Sequence, residues 1–202
     1  MKIAVDMDGV IANLPKGFVD KYNSMRDFAV NKTVNDIHTY NMDVTFRESG
    51  ICQKIFRSHN FFYNLEVMPG VIAGLEKLFG DGHEILIVTK LPNEDCGHVQ
   101  FDKMKWLQEH IFSSIDLTKK DVVFCYGKQW YRGDFMIDDY PDNLLKFDGT
   151  RILIDWPYNR EKDGNTDEGN KFIRLKQETA WDEIYEMVKK RQVEMTKGIG
   201  CL

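Results

Sequence analysis

The sequence lacks an excess of positive charge. Its 202 residues include 27 lysines and arginines against 32 aspartates and glutamates, so the formal net charge is -5. A protein that binds a long nucleic acid must neutralise several phosphates with basic side chains. The charge balance therefore argues against DNA or RNA polymers as partners, whereas a small phosphorylated molecule is compatible with it.

Paired cysteines and long apolar runs are lacking as well. The four cysteines (Cys52, Cys96, Cys125 and Cys201) are scattered and form no CxxC pair, which argues against a structural zinc site and against the disulfide framework of a secreted protein. No run approaches the roughly 20 apolar residues of a membrane span, and the start of the chain lacks the apolar stretch of a signal peptide. We therefore expect a soluble, cytoplasmic protein that does not enter a membrane.

Short apolar runs alternate with amphipathic segments along most of the chain. With 43% apolar residues, the chain is long enough to bury one sizeable core and a small second lobe. The alternation predicts an α/β fold with a Rossmann-like parallel sheet core and helices on both faces. The predicted strands are 2–5, 84–88, 122–124, 135–137 and 152–154, and the predicted helices are 71–79, 98–110 and, packed at the sheet edge, 181–191.

Residues 14–68 interrupt this alternation. They are rich in aromatic and polar residues and contain no apolar run typical of a core strand. We predict that they form a small helical cap, inserted after the first strand of a core domain that comprises residues 1–13 and 69–202. Pro69-Gly70 marks the return to the core. The polar segment 159–170 is predicted to be a mobile loop.

Polar side chains follow four of the predicted strands. In an open parallel sheet, ligands bind beyond the carboxyl ends of the strands, so these side chains should gather at one edge. They are Asp6 and Asp8 after the first strand, Thr89 after the second, Lys128 a few residues beyond the third, and Asp138 and Asp139 after the fourth.

This combination of residue types favours metal-assisted phosphoryl transfer. Carboxylates that lie close together repel each other unless a cation or a shared proton intervenes, and a hard cation such as Mg2+ prefers carboxylate and phosphate oxygens. Lys128 and Thr89 can hold the phosphoryl oxygens as charge develops. Asp6 is best placed to attack and form an aspartyl-phosphate, and Asp8 to protonate the leaving oxygen and later activate water.

Four ordered motifs together resemble the haloacid dehalogenase superfamily of phosphatases. They are DMDGV at 6–10, the threonine that ends ILIVT at Thr89, Lys128, and IDD at 137–139. The interval of ten residues from Lys128 to Asp138 also fits. Any one of these motifs is weak by itself, because a DxD pair is often only a turn or a helix cap and a lone lysine is usually solvated.

Within that superfamily, the sequence is most similar to the 5'(3')-deoxyribonucleotidases and their bacterial and phage relatives. FFYNLE at 61–66 with Met68-Pro69-Gly70 looks like that family's FF-x-x-L-x-P-x-PG segment, and MIDDYPDN at 136–143 looks like its IDD-x-PDN segment.

The resemblance implies specific roles for the acidic residues. The first aspartate of the DxD pair, Asp6, would be the nucleophile, and Asp8 would be the general acid and base. Mg2+ would be held by Asp6, by Asp8 through its backbone carbonyl, and by Asp138. Asp139 is a supporting residue, and whether it binds the metal or orients a neighbour is open.

Two positions depart from the family pattern, and both bear on the substrate. Lys90 stands where the eukaryotic enzymes have a small hydroxyl residue, and it either adds a phosphate contact or points into solvent. Leu14 stands where they place an aromatic ring against the base. Phe18, Phe61 and Phe62 are candidates for the substrate pocket, where they would stack on a nucleobase, and the alternative for each is packing inside the cap.

The sequence therefore favours a Mg2+-dependent phosphatase of (deoxy)nucleoside monophosphates that acts in nucleotide metabolism. The first alternative is a phosphatase of a sugar phosphate or another small phosphoester. The second is a non-catalytic nucleotide-binding module with the same fold. The base, the sugar and the position of the phosphate stay open, and so does the oligomeric state, a homodimer included.

Overall fold

Six parallel strands form the central sheet of the protein. The computed structural model describes residues 1–26, 31–91, 97–125, 127–160 and 172–199. The strands lie in the order β3-β2-β1-β4-β5-β6, and every neighbouring pair is parallel. Their bounds are β1 Lys2–Val5, β2 Glu84–Thr89, β3 Val122–Phe124, β4 Phe135–Asp138, β5 Thr150–Ile154 and β6 Ile173–Leu175. This sheet confirms the predicted α/β class.

Seven α-helices accompany the sheet in the part of the chain that the structure describes. The helices after β1 are short, and the longest helix comes last. Their bounds are α1 Leu14–Ser24, α2 Met42–Phe46, α3 Ile51–Phe56, α4 Val71–Gly80, α5 Gly97–His110, α6 Pro141–Leu144 and α7 Ala180–Ile199. Most of the predicted loop 159–170 lies outside the described residues.

The central strands are largely apolar because both faces of the sheet are covered. Successive side chains of a strand point to opposite faces, so Ile3 and Val5 of β1 join one buried cluster and Ala4 joins the other. Residues of α4, α5 and α7 complete the first cluster. Leu144 of α6 and Phe147 cover the second face.

The sixth strand was not predicted. β6 is only three residues long, and Arg174 interrupts its apolar residues, so it carries too little pattern to be recognised. It pairs in parallel with β5, where Leu153 lies opposite Arg174. The neighbouring strand, and not the local sequence, decides its conformation.

The last helix is longer than predicted and packs differently. We expected residues 181–191 at the sheet edge, but α7 extends from Ala180 to Ile199 and lies on α4. The indole of Trp181 packs over Gly70 and Gly74, which leave room for it. Although α7 has 20 residues, no helix among the described residues combines the length and the apolar character needed to cross a membrane.

The described residues between 14 and 68 form short helices and turns after β1. An isolated antiparallel bridge between Ala12 and Val67 joins the two ends of this segment. Its interior is aromatic, with the ring of Phe18 5.6 Å from that of Phe46 and 5.7 Å from that of Phe56. These features support our proposal that residues 14–68 are a cap inserted in the core domain.

Candidate active site

The candidate site lies where the carboxyl ends of β1, β2 and β4 meet. Asp6 directly follows β1, and its backbone N–H donates to the carbonyl of Ile137 at 2.9 Å, which extends the pairing with β4. Thr89 is the last residue of β2 and Asp138 is the last residue of β4. Because parallel strands end at the same edge of a sheet, residues distant in sequence come together here.

Lys128 connects two of the carboxylates. It begins a 3-10 turn after β3, and its Nζ lies 2.6 Å from Asp6 Oδ1 and 2.7 Å from Asp138 Oδ2. Burial by itself would lower the pKa of Lys128, but the two carboxylates and their hydrogen bonds raise it above its ordinary value. The ammonium therefore stays charged and holds both aspartates in place.

Asp6 is held in an unusual electrostatic environment. Burial, together with the charges of Asp138 and Asp8, raises its pKa to about 7 against the lowering effect of Lys128. Its Oδ1 also accepts a hydrogen bond from the N–H of Met7 at 2.7 Å. A carboxyl group with a strongly shifted pKa at the edge of a sheet is typical of functional sites.

Three buried carboxylates converge at this edge. Asp6, Asp138 and Asp139 each offer an oxygen within 4.8 Å of the others. Asp138 is oriented by the N–H of Tyr140 at 2.9 Å and by the amide of Asn143 at 3.0 and 3.1 Å. The candidate ligand atoms are all oxygens, and the three carboxyl groups outnumber the one lysine, Lys128, that contacts them. The residues present therefore fit a hard divalent cation.

Asp139 is fixed by residues that the sequence analysis did not identify. Tyr158 donates its hydroxyl to Asp139 Oδ2 at 2.5 Å, and the amide of Asn159 donates to the Asp139 carbonyl at 2.8 Å. Burial, with the charges of Asp6 and Asp138, raises the pKa of Asp139 well above its usual range. Tyr158 follows β5 in a short 3-10 helix, Pro157–Asn159, and no motif marked it.

Asp8 lies beside a buried lysine that the sequence analysis also missed. Lys103 of α5 is only 1% exposed, and its Nζ donates to Asp8 Oδ2 at 2.5 Å and to Thr89 Oγ1 at 2.9 Å. One signal could have revealed it. Lys103 occupies a position of the apolar stripe that includes Val99 and Trp106, at the i, i+4, i+7 spacing of a buried helix face.

A cavity of about 350 Å³ opens above the acidic residues. This volume lies in the range of small-molecule sites, which combine apolar walls with a few polar groups. The cavity is lined by the polar residues Asp8, Tyr40, Gln53, Arg57, Lys90, Lys103, Asp139 and Tyr158 and by the less polar residues Leu14, Met42, Cys52, Phe56, Phe62 and Leu91.

The structure places only one of the three candidate phenylalanines at the cavity. Phe62 lines it, whereas Phe18 and Phe61 are not among its lining residues. Phe18 is fully buried on the inner face of α1, and Phe61 packs edge-to-face on Phe62 at 5.1 Å. This corrects the expectation for Phe18 and Phe61, whose rings build the interior of the predicted cap. Lys90 and Leu14, the two positions that depart from the family pattern, both line the cavity.

Comparisons with known proteins find similar sequences over most of the chain. The family model described as "5' nucleotidase, deoxy (Pyrimidine), cytosolic type C protein" matches residues 1–193. A 5'(3')-deoxyribonucleotidase of Bacillus subtilis (strain 168) is 32% identical over 185 residues, which cover 90% of this chain and 95% of the relative. A 5'(3')-deoxyribonucleotidase of Clostridium acetobutylicum is 28% identical over 178 residues, 86% of this chain and 88% of the relative.

Among solved structures, a haloacid dehalogenase-like hydrolase from Burkholderia xenovorans LB400 is similar in fold. Its TM-score is 0.53 at 13% sequence identity, and the match covers 90% of this chain and 94% of that chain. At this identity the likeness concerns the fold alone.

Proposed function

Since this chain belongs to the family of 5' nucleotidase, deoxy (pyrimidine), cytosolic type C proteins, we propose that it hydrolyses (deoxy)nucleoside monophosphates with the help of Mg2+. It is a phosphoric monoester hydrolase of the 5'-nucleotidase type. The observation that carries the proposal is that Asp8 and Asp139 line a cavity of about 350 Å³ whose walls are largely apolar. A nucleoside fits such walls, and its phosphate would reach the acidic residues.

The acidic residues would hold the metal ion. Asp6 and Asp138 would bind it through their side chains and Asp8 through its backbone carbonyl, as the family resemblance implies. Asp139 lies close enough to contribute an oxygen or to orient the other ligands. When bound, Mg2+ supplies positive charge that offsets the charge of the phosphoryl oxygens and of the carboxylates.

In the first step, a carboxylate oxygen of Asp6 attacks the phosphorus. The bond between phosphorus and the sugar oxygen breaks, and Asp8 gives its proton to that oxygen, so the nucleoside leaves. Lys128 and Thr89 hold the phosphoryl oxygens, and Lys90, which lines the cavity, adds a further cationic contact.

In the second step, water hydrolyses the aspartyl-phosphate. Asp8 takes a proton from the water as its oxygen attacks phosphorus, and the bond to Asp6 breaks. Phosphate leaves, and both aspartates return to their starting state. The two-step route replaces one difficult displacement by two easier ones.

A phosphate-release assay tests the proposed function. The purified protein should release phosphate from dUMP or dTMP with Mg2+ and lose this activity in EDTA. The panel includes 5' and 3' nucleotides and sugar phosphates. A strong preference for sugar phosphates would overturn the nucleotide assignment, and ligand-induced thermal stabilisation without phosphate release would identify a binding module instead.

Two variants test the assigned roles. Asp6→Asn should lower kcat by at least about 10³-fold, because the nucleophile is lost. The matched control is Asp182→Asn, since Asp182 lies at the start of α7 with its side chain 82% exposed, and it should retain full activity. Mass spectrometry of acid-quenched protein should find the phosphoryl adduct on the peptide that contains Asp6.

Metal binding has a readout that does not depend on activity. Mg2+ should raise the melting temperature of the wild-type protein, because a ligand that binds only the folded state stabilises it. Asp138→Asn should remove most of this shift. An equal shift in both proteins would contradict the assignment of Asp138 as a ligand.

A further inference from the structure

Lys103 is buried beside the proposed general acid. It lies in the middle of α5, and its side chain is 1% exposed. Burying an ammonium costs free energy unless hydrogen bonds and opposite charge compensate for it. The surroundings of this lysine therefore indicate what it does.

The ammonium of Lys103 has used all of its donors. An ammonium offers three N–H groups, and Nζ donates to Asp8 Oδ2 at 2.5 Å, to Thr89 Oγ1 at 2.9 Å and to the Lys90 carbonyl at 2.8 Å. It also lies 4.8 Å from the centre of the Phe62 ring. The lysine thus connects the loop after β1 with the end of β2.

The two oxygens of Asp8 differ sharply in their surroundings. Oδ2 accepts the bond from Lys103, whereas Oδ1 is buried and has no hydrogen-bond partner among the residues that the structure describes. Buried polar atoms without partners are rare and usually have a functional reason. Because Asp8 lines the cavity and its side chain is 19% exposed, a bound ligand can reach its carboxyl group.

We propose that Lys103 is a positioning residue for Asp8. Through its hydrogen bond to Oδ2, it fixes the carboxyl group in the orientation from which Asp8 protonates the leaving sugar oxygen and later accepts a proton from water, a role that rests on the proposed function. The same ammonium holds the hydroxyl of Thr89, so the acid and one phosphate-binding group share one anchor. Lys103 therefore acts through Asp8 and not by binding the phosphoryl group.

The backbone around Lys103 is rigid enough for this role. Trp106, one turn further along α5, donates its indole N–H to the carbonyl of Leu65 at 2.7 Å and is fully buried. A positioning residue works only when its own location is fixed by packing and hydrogen bonds. A direct phosphate contact, by contrast, would require Lys103 to give up one of its three acceptors.

The test compares two leaving groups in the same variant. The sugar oxygen of dTMP needs a proton to leave, whereas the nitrophenolate of p-nitrophenyl phosphate leaves without one. Lys103→Met should lower kcat/KM by about 10²-fold for dTMP but by less than about 3-fold for p-nitrophenyl phosphate, because general acid catalysis is impaired while Thr89 stays in place as part of β2. The ratio kcat/KM reports the first, phosphorylating step.

Control variants separate positioning from general damage. Lys105→Met changes an exposed lysine of the same helix, and it should leave both kcat/KM values unchanged. Lys103→Arg keeps a charged donor and should recover part of the dTMP activity. Thermal unfolding checks that each variant folds, and if Lys103→Met does not fold, Lys103→Gln undergoes the same two-substrate comparison.

The outcomes distinguish this proposal from the proposed function. A wild-type protein without phosphatase activity would overturn the proposed function itself. With an active wild type, an equal loss on both substrates would show that Lys103 supports the binding of the phosphoryl group, directly or through Thr89, and no loss on either would show that it does not orient Asp8. Both results contradict the positioning role.

Discussion

Gly9 lies at the tightest point of the candidate site, and its replacement by alanine should damage both stability and activity. Its φ is +74°, and a Cβ there would lie 2.5 Å from Asp139 Oδ2 and 3.0 Å from the hydroxyl of Tyr158. Neither group can move freely, since these two side chains are hydrogen-bonded to each other and buried. The indole of Trp156 also holds the Gly9 carbonyl at 2.7 Å, so the backbone cannot easily retreat.

Two costs add up in Gly9→Ala. The left-handed backbone costs a non-glycine residue about 1–2 kcal/mol, and overpacking a filled site costs about 1–3 kcal/mol. The sum of about 2–5 kcal/mol is a large fraction of the stability of an ordinary domain, about 5–15 kcal/mol. Activity should fall as well, because the added methyl group displaces Asp139 from the other carboxylates.

A matched glycine separates the two costs. Gly82 has a φ of +78°, and no described atom lies within 4 Å of its would-be Cβ. Gly82→Ala should therefore cost only about 1–2 kcal/mol and leave phosphate release unchanged. Urea unfolding of both variants, with equal m-values, measures the difference.

The two glycine variants together test whether steric crowding at Gly9 matters. If Gly9→Ala and Gly82→Ala lower the free energy of unfolding by the same amount, the close approach of Asp139 to Gly9 adds nothing to the cost of a side chain at position 9. If Gly9→Ala keeps full activity despite a larger loss of stability, the position of Asp139 does not matter for the reaction.

Three further predictions concern stability. Tyr158→Phe should lower the free energy of unfolding by about 1–3 kcal/mol, because the buried carboxylate of Asp139 loses its donor; an unchanged urea midpoint would contradict this. Gly74→Ala should gain about 1 kcal/mol from helix propensity, but the new Cβ would lie 2.8 Å from the indole of Trp181 in α7, and this overpacking costs about 1–3 kcal/mol. The variant should therefore be as stable as the wild type or less stable. Gly80→Ala, where no described atom lies within 4 Å of the new Cβ, should be more stable than the wild type. Burial and the nearby N-terminal ammonium lower the pKa of His83 from 6.5. The unfolded state therefore binds the proton more tightly than the folded state, and the free energy of unfolding should fall as the pH drops below about 6.5. Thermal melts at pH 5 to 8 should show a weaker pH dependence of stability in His83→Gln.

Much of the fold could be predicted because buried parallel strands have a simple signature. A strand covered on both faces is apolar throughout, and β1, β2 and β4 show this in the sequence. The same logic located Asp6, Thr89 and Asp138, since residues that follow such strands must meet at one edge. β6 escaped because three residues with a central arginine carry too little pattern.

Five of the six strands, the acidic edge and the order of the motifs could be read from the amino-acid sequence, because these depend on local apolar runs and on the direction of parallel strands. The tertiary structure alone decided what surrounds the acidic residues. Lys103 contacts Asp8 across 95 positions of sequence, and Phe62 faces the cavity while its neighbour Phe61 does not. The periodicity of apolar residues shows which side of a segment is buried, but the residues that this side contacts are determined by long-range packing in the folded chain.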